Sequence, residues 1–134
     1  MRIGIYPLVG DLLHTGHIYA IQEAQLNCDY LIVLLNCLPD NKRPVETIFE
    51  RWSRLRYLDG VDDIIPYQGE KDLLNVIKTI PHDVRFVGSD YRGKDFTGRD
   101  FEESNGVKIY FLKRNHEYSS TKLKERVKEN ETNV

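Results

Sequence analysis

His14 and His17 stand three residues apart with Gly16 between them. They directly follow a short apolar run containing Ile3 and Ile5 and open an amphipathic stretch. Two imidazoles at that spacing are switchable hydrogen-bond donors at the start of a helix. Free backbone N–H groups and the positive end of the helix dipole point to the same place, which suits phosphate oxygens. Gly16 carries no Cβ, so a bulky anion can come close to the backbone. Two other readings stand beside this one. The imidazoles can be ordinary surface or capping groups, or a metal pair, although no third Cys or His lies close by in the sequence.

Other chemistry-bearing clusters follow the strand-like runs. Asp11 precedes the histidines; Lys42 and Arg43 lie in a polar loop, with Arg51 on the next helical stretch. Gly88-Ser89-Asp90 ends an apolar run, and Arg114 precedes Ser119-Ser120-Thr121-Lys122 at a helix start. Cations, hydroxyls and helix N-termini converging on one cleft suit a polyphosphate. Each has a plainer alternative: Asp11 as a cap, Lys42 and Arg43 as solvated loop charges, Asp90 in an Asx turn, and the hydroxyls as an N-cap.

The elements that must position these groups alternate. Apolar runs at 2–6, 30–35, 61–66, 84–87 and 107–112 predict five strands. Helical patterns fall at 16–26, with Ile18, Ile21 and Ala24 facing inward, and at 47–58, 71–79 and 119–128. Residues 89–99 are predicted as a loop, and 129–134 as a polar tail that frays beyond a single domain at 1–128. The second run is apolar throughout, as in a strand covered on both faces. Repeated strand–helix–strand units predict an α/β, Rossmann-like, doubly wound parallel five-stranded sheet with helices on both faces. Ligands of such sheets bind beyond the carboxyl ends of the strands, at the switch in strand order.

Composition sets the outer bounds. A chain of 134 residues, 40% hydrophobic and 30% charged, can bury one core. Its formal charge of −2 gives no global pull toward nucleic acid or an anionic membrane, so neither is an expected partner. No run reaches the roughly 18 apolar residues of a membrane span, and nothing resembles a signal peptide. Cys28 and Cys37 are too few for a disulfide framework and read as partly buried thiols of a cytoplasmic protein.

Taken together, these motifs resemble those of the HxGH nucleotidyltransferases, within them the small cytidylyltransferase-like group. Within that group the chain resembles glycerol-3-phosphate cytidylyltransferase and heptose 1-phosphate adenylyltransferase. Asp11-Leu12-Leu13-His14-Thr15-Gly16-His17 matches the signature of the group. Arg43-Pro44-Val45 with Glu50-Arg51 resembles the heptose enzyme, and Gly88-Ser89-Asp90-Tyr91 the glycine–aspartate–aromatic loop of both. Arg114 ahead of Ser119-Ser120-Thr121 is similar to the cytidylyltransferase ending. One stretch departs from the pattern: Tyr6-Pro7-Leu8-Val9-Gly10-Asp11 stands where the family has Gly-x-Phe-Asp.

The resemblance implies nucleotidyl transfer from a nucleoside triphosphate to a phosphorylated small molecule, with release of pyrophosphate. It implies catalytic roles for His14, His17 and Lys42. It sets Val9, Gly10, Gly16, Gly88, Asp90, Arg114, Ser119, Ser120 and Thr121 against the nucleotide, and Asp11, Arg43 and Arg51 on the acceptor side or in support of it. It also implies Mg²⁺ arriving with the triphosphate, no metal held by the protein alone, and a homodimer. The favoured substrates are CTP and glycerol 3-phosphate. The alternatives are ATP with a heptose-type sugar 1-phosphate, and a non-catalytic nucleotide-binding module.

Overall fold

A computed structural model describes residues 1–113 and 120–132 of the chain. The elements run β1 Ile3–Leu8, α1 Thr15–Gln25, β2 Tyr30–Asn36, α2 Ile48–Leu55, β3 Asp63–Tyr67, α3 Gly69–Thr79, β4 Val84–Val87, α4 Arg99–Ser104, β5 Lys108–Phe111 and α5 Ser120–Thr132. All strand pairs are parallel, in the order β3-β2-β1-β4-β5. The doubly wound α/β sheet read from the sequence is the observed fold.

Alternation along β2 explains the two layers. Leu31, Val33 and Leu35 pack with Ile21 and Ala24 of α1 and Leu55 of α2. Ile32 and Leu34 pack on the opposite face with Leu73 and Ile77 of α3 and Phe101 of α4. Side chains of successive strand residues point to opposite faces, so a fully apolar strand serves both cores.

Strand order reverses between β1 and β4, and there the sheet opens. β1 pairs with β2 along its whole length, from Ile3 to Leu8. Its pairing with β4 covers only Gly4 and Ile5. Pro7 lies in the unpaired stretch, where a missing N–H costs no bond to β4. β1 therefore runs two residues beyond the predicted 2–6 and ends at the edge of a cleft.

Several expectations are corrected. Ile18 is 37% exposed; the buried stripe of α1 is Gly16, Ile21 and Ala24. The predicted loop at 89–99 holds a 3-10 turn over Ser89–Tyr91 and leads into α4, which the periodicity did not predict. The last helix continues to Thr132, past the predicted end at residue 128.

α4 is fixed by charge. Its Glu102 carboxylate is fully buried and bonds Arg85 of β4 and His82, each at 2.7 Å. Arg85 also donates to the Thr97 carbonyl and stacks on Phe96, so the 88–98 segment is tied to the core through this buried guanidinium.

Candidate nucleotide site

The loop after β1 is built from two left-handed backbone positions, Gly10 at φ 69° and Leu12 at φ 49°. Only glycine takes the first without strain, which accounts for a glycine directly before Asp11. Three buried side chains hold the loop. Oδ1 and Oδ2 of Asp11 accept the Glu46 and Val45 N–H groups at 3.0 and 2.9 Å. Glu46 accepts the Leu12 N–H at 2.6 Å and pairs with Arg54. Arg51 donates to the carbonyl oxygens of Val9 at 2.8 Å and Asn36 at 2.6 Å, with longer bonds to those of Glu46 and Cys37. Burial lowers its pKa, opposed by Asp11 and Cys37. The loops after β1 and β2 and the start of α2 are thereby joined into one frame.

On that frame His14 is the N-cap of α1. Its Nδ1 accepts the Gly16 N–H at 3.0 Å, and Nδ1 of His17 accepts the His14 N–H at 3.1 Å. This is a reciprocal capping box in which two imidazoles take the places usually held by Ser or Thr and Glu. The consequence is chemical. With both Nδ1 atoms accepting, each neutral ring carries its proton on Nε2 and presents a donor there. The rings lie 4.0 Å apart between centroids. Burial, reinforced by His14, pushes His17 down to about 4, against a smaller upward pull from Asp11.

A cleft of about 730 Å³ opens above this pair, at the switch point of the sheet. His14, His17 and Gly16 line it from α1, and Val9, Gly10 and Asp11 from the β1 loop. Lys42 and Arg43 line it from the β2–α2 loop, Gly88 and Asp90 from the end of β4, and Thr121 from α5. Sequence-predicted residues from four separate segments thus share one hollow. Counting the lining charges, four cations (Lys42, Arg43, Lys113 and Lys124) face two carboxylates (Asp11 and Asp90). Among the described residues the Gly10 N–H has no hydrogen-bond partner, and Gly10 borders the same space. A Cβ on Gly88 would meet nothing within 4 Å, so the cleft is open against that backbone.

Arg51 is placed differently from the acceptor-side expectation. It is 2% exposed, does not line the cleft, and spends its donors on main-chain carbonyls. Its place is the supporting one that the sequence reading also offered. Arg114 and Ser119 lie outside the described residues; Ser120 begins α5. The sequence reading missed Tyr6, Leu8, Ala20 and Leu112, which form the apolar floor, and Lys113 and Lys124 at the rim. Burial pushes the Tyr6 phenol up to about 12. The alternation of β1 puts Tyr6 and Leu8 on the α1 side, a signal present in the sequence once the strand is known to pass Pro7.

Fold and cleft define a class: an α/β domain with a cation-rich cleft, suited to an anionic ligand, at the crossover point of a parallel sheet. Residues 10–126 match the family described as cytidylyltransferase-like, and the chain belongs to that family. It is similar to the bifunctional protein HldE of Granulibacter bethesdensis, 34% identical over 76% of this chain and 22% of that protein. It is likewise similar to the HldE of Aliarcobacter butzleri, 35% identical over 90% of this chain and 26% of that one. The chain thus spans about a quarter of the length of these relatives. The lipopolysaccharide core biosynthesis protein of Thermoplasma volcanium shares the fold, with a TM-score of 0.71 at 22% identity over 87% of this chain and 99% of that one.

Proposed function

We propose that the protein transfers an adenylyl group from ATP to a sugar 1-phosphate and releases pyrophosphate. The observation that carries the transfer is the imidazole capping box. It fixes two Nε2–H donors at a helix N-terminus, inside a cleft with more cations than carboxylates. In the reaction, an acceptor phosphate oxygen attacks the α-phosphorus in line, the bond to the bridging oxygen breaks, and pyrophosphate leaves. Negative charge grows on the α–β bridging oxygen and the non-bridging oxygens. Preorganised neutral donors aimed at such oxygens stabilise that charge without reorganising. His14 and His17 are assigned to the α- and β-phosphates, and Lys42 and Arg43 to the remaining charge. The Gly10 amide is a further donor; Thr121 approaches from α5.

Similarity to HldE proteins weighs toward the adenylyl alternative and away from CTP and glycerol 3-phosphate, which the sequence reading favoured. Arg43-Pro44 at the cleft fits the same choice, because that dipeptide belongs to the resemblance to the heptose enzyme. Cytidylyl transfer keeps Arg114 ahead of Ser119-Ser120-Thr121 in its favour.

Mg²⁺ would come with the nucleotide. Among the described residues no group of three or more His, Cys, Asp or Glu could hold a metal. Both Asp11 carboxylate oxygens already accept backbone N–H groups. The donor set therefore fits an ion held mostly by phosphates and water, Asp90 being the other carboxylate at the rim. Bound there, the ion would neutralise phosphate charge.

Pyrophosphate release, measured with each of the four nucleoside triphosphates against a panel of sugar 1-phosphates and polyol phosphates, tests the reading. Turnover with ATP and a sugar 1-phosphate is expected. Turnover with CTP and glycerol 3-phosphate alone moves the assignment to the cytidylyl reaction. Nucleotide binding without turnover on any acceptor leaves a binding module.

A further inference from the structure

Lys124 lies on α5, three residues after Thr121, so the two share one face of the helix, and both line the cleft. Between 121 and 130 of that helix, only Leu123 and Lys124 are partly buried. The Lys124 ammonium sits 3.2 Å from Oδ2 of Asp11. Asp11 does not need this cation, because its oxygens already accept two backbone N–H groups. An ion pair whose lysine is 39% exposed adds little to stability, so holding the helix is a poor account of it. The ammonium has three donors, and one faces Asp11. Among the described residues Asp11 is its one ion-pair partner, and the side chain lines the space shared with His14, His17 and Lys42.

We infer that Lys124 is a phosphate-binding residue of the nucleotide site. Asp11 holds its ammonium over the cleft, and a polyphosphate draws it in with the α5 face that also carries Thr121. This inference rests on the nucleotidyl-transfer reading and adds to it a cation specific for the far end of a triphosphate. Asp11 is then a positioning residue, joining the β1 loop, the β2–α2 loop and α5 through one carboxylate.

Calorimetric titration of wild type, Lys124→Met and Lys124→Arg with the tri-, di- and monophosphates of adenosine, and of cytidine where adenosine does not bind, at low and high salt, tests it. Thermal melts run alongside confirm folded variants. In Lys124→Met, triphosphate affinity should fall about tenfold, which corresponds to about 1.4 kcal/mol. Monophosphate affinity should change less than about twofold, and the salt dependence for triphosphate should flatten. Lys124→Arg should restore most of the loss. Unchanged triphosphate binding in Lys124→Met overturns the inference while leaving the nucleotidyl reading intact. Equal losses for all three nucleotides also overturn it, because they mark a purely structural role. Failure of wild type to bind any adenine or cytosine nucleotide sinks the nucleotidyl reading itself, and this inference with it.

Discussion

The protonation of His17 offers the sharpest test of the site. Its folded pKa of about 4 lies below the ordinary imidazole value of 6.5. The folded protein therefore resists a proton that the unfolded chain accepts. Stability from this group is full above pH 6.5 and is lost as pH falls toward 4. At about 1.4 kcal/mol per pH unit, the whole effect is about 3 kcal/mol, of which about 2 kcal/mol is lost by pH 5. Hydrogen-bond geometry points the same way. A proton on Nδ1 would face the His14 N–H that this nitrogen now accepts, donor against donor. His17→Gln removes the titration yet keeps an acceptor suited to the third position of a capping box. Urea unfolding of wild type and His17→Gln at pH 7 and pH 5 isolates the imidazole contribution from the carboxylates common to both. Wild type should lose about 2 kcal/mol more than the variant between the two pH values. ¹⁵N spectra of the imidazole should show the proton on Nε2 and little titration above pH 5. Equal losses in the two proteins, or a midpoint near 6.5, would refute the neutral-donor reading of the site.

Arg51→Met strands the part-buried Val9 and buried Asn36 carbonyls that now accept its two shortest bonds. With hydrogen bonds to charged groups worth about 1.5 kcal/mol or more each, it should cost about 3 kcal/mol in urea unfolding; under about 1 kcal/mol would remove Arg51 as the clamp of the frame. Glu102→Gln leaves the Arg85 guanidinium buried without its counter-charge and should cost about 3–5 kcal/mol by the same measurement. Gly88→Ala adds a methyl at φ −60° with nothing within 4 Å. Its stability should stay within about 0.5 kcal/mol of wild type, while calorimetry should show weaker nucleotide binding if phosphate or base approaches that backbone.

What could be read before folding divides along physical lines. Strand-helix alternation and the HxGH stretch are local: the apolar run of β2 and the spacing of His14 and His17 carry their meaning wherever the chain goes. α4 was illegible because its fully buried residue is Glu102, and hydrophobic periodicity has no sign for a buried carboxylate. The role of Arg51 stayed open between acceptor contact and support, and Lys124 was passed over, for a related reason. Arg51 follows Glu50 in a polar-looking helix, and only the tertiary meeting of the loops after β1 and β2 surrounds it with carbonyls. α5 carries several basic residues, and the phase of the helix, not composition, chooses Lys124 to face the cleft.

The site divides its work by depth. His17 lies where desolvation is strong, and a charge there would be costly, so it acts as a neutral dipole whose donor direction is fixed by backbone bonds. Lys42, Arg43 and Lys113 are exposed and stand at the rim of the same cleft. Reversing the arrangement would fail on both counts: a buried ammonium would tend to shed its proton, and a solvated imidazole would wander between rotamers and tautomers. Precision is therefore needed at the floor and net charge at the mouth. The Arg51–Asp11–Glu46 frame supplies the first, because it fixes the loop from which α1 and its two imidazoles begin. Replacing Leu8-Val9-Gly10 by the Gly-x-Phe arrangement usual in the family should thus alter how the backbone amides meet a triphosphate while leaving the two Nε2–H directions in place, a separation that comparing nucleotide affinity with turnover in the swapped loop would measure.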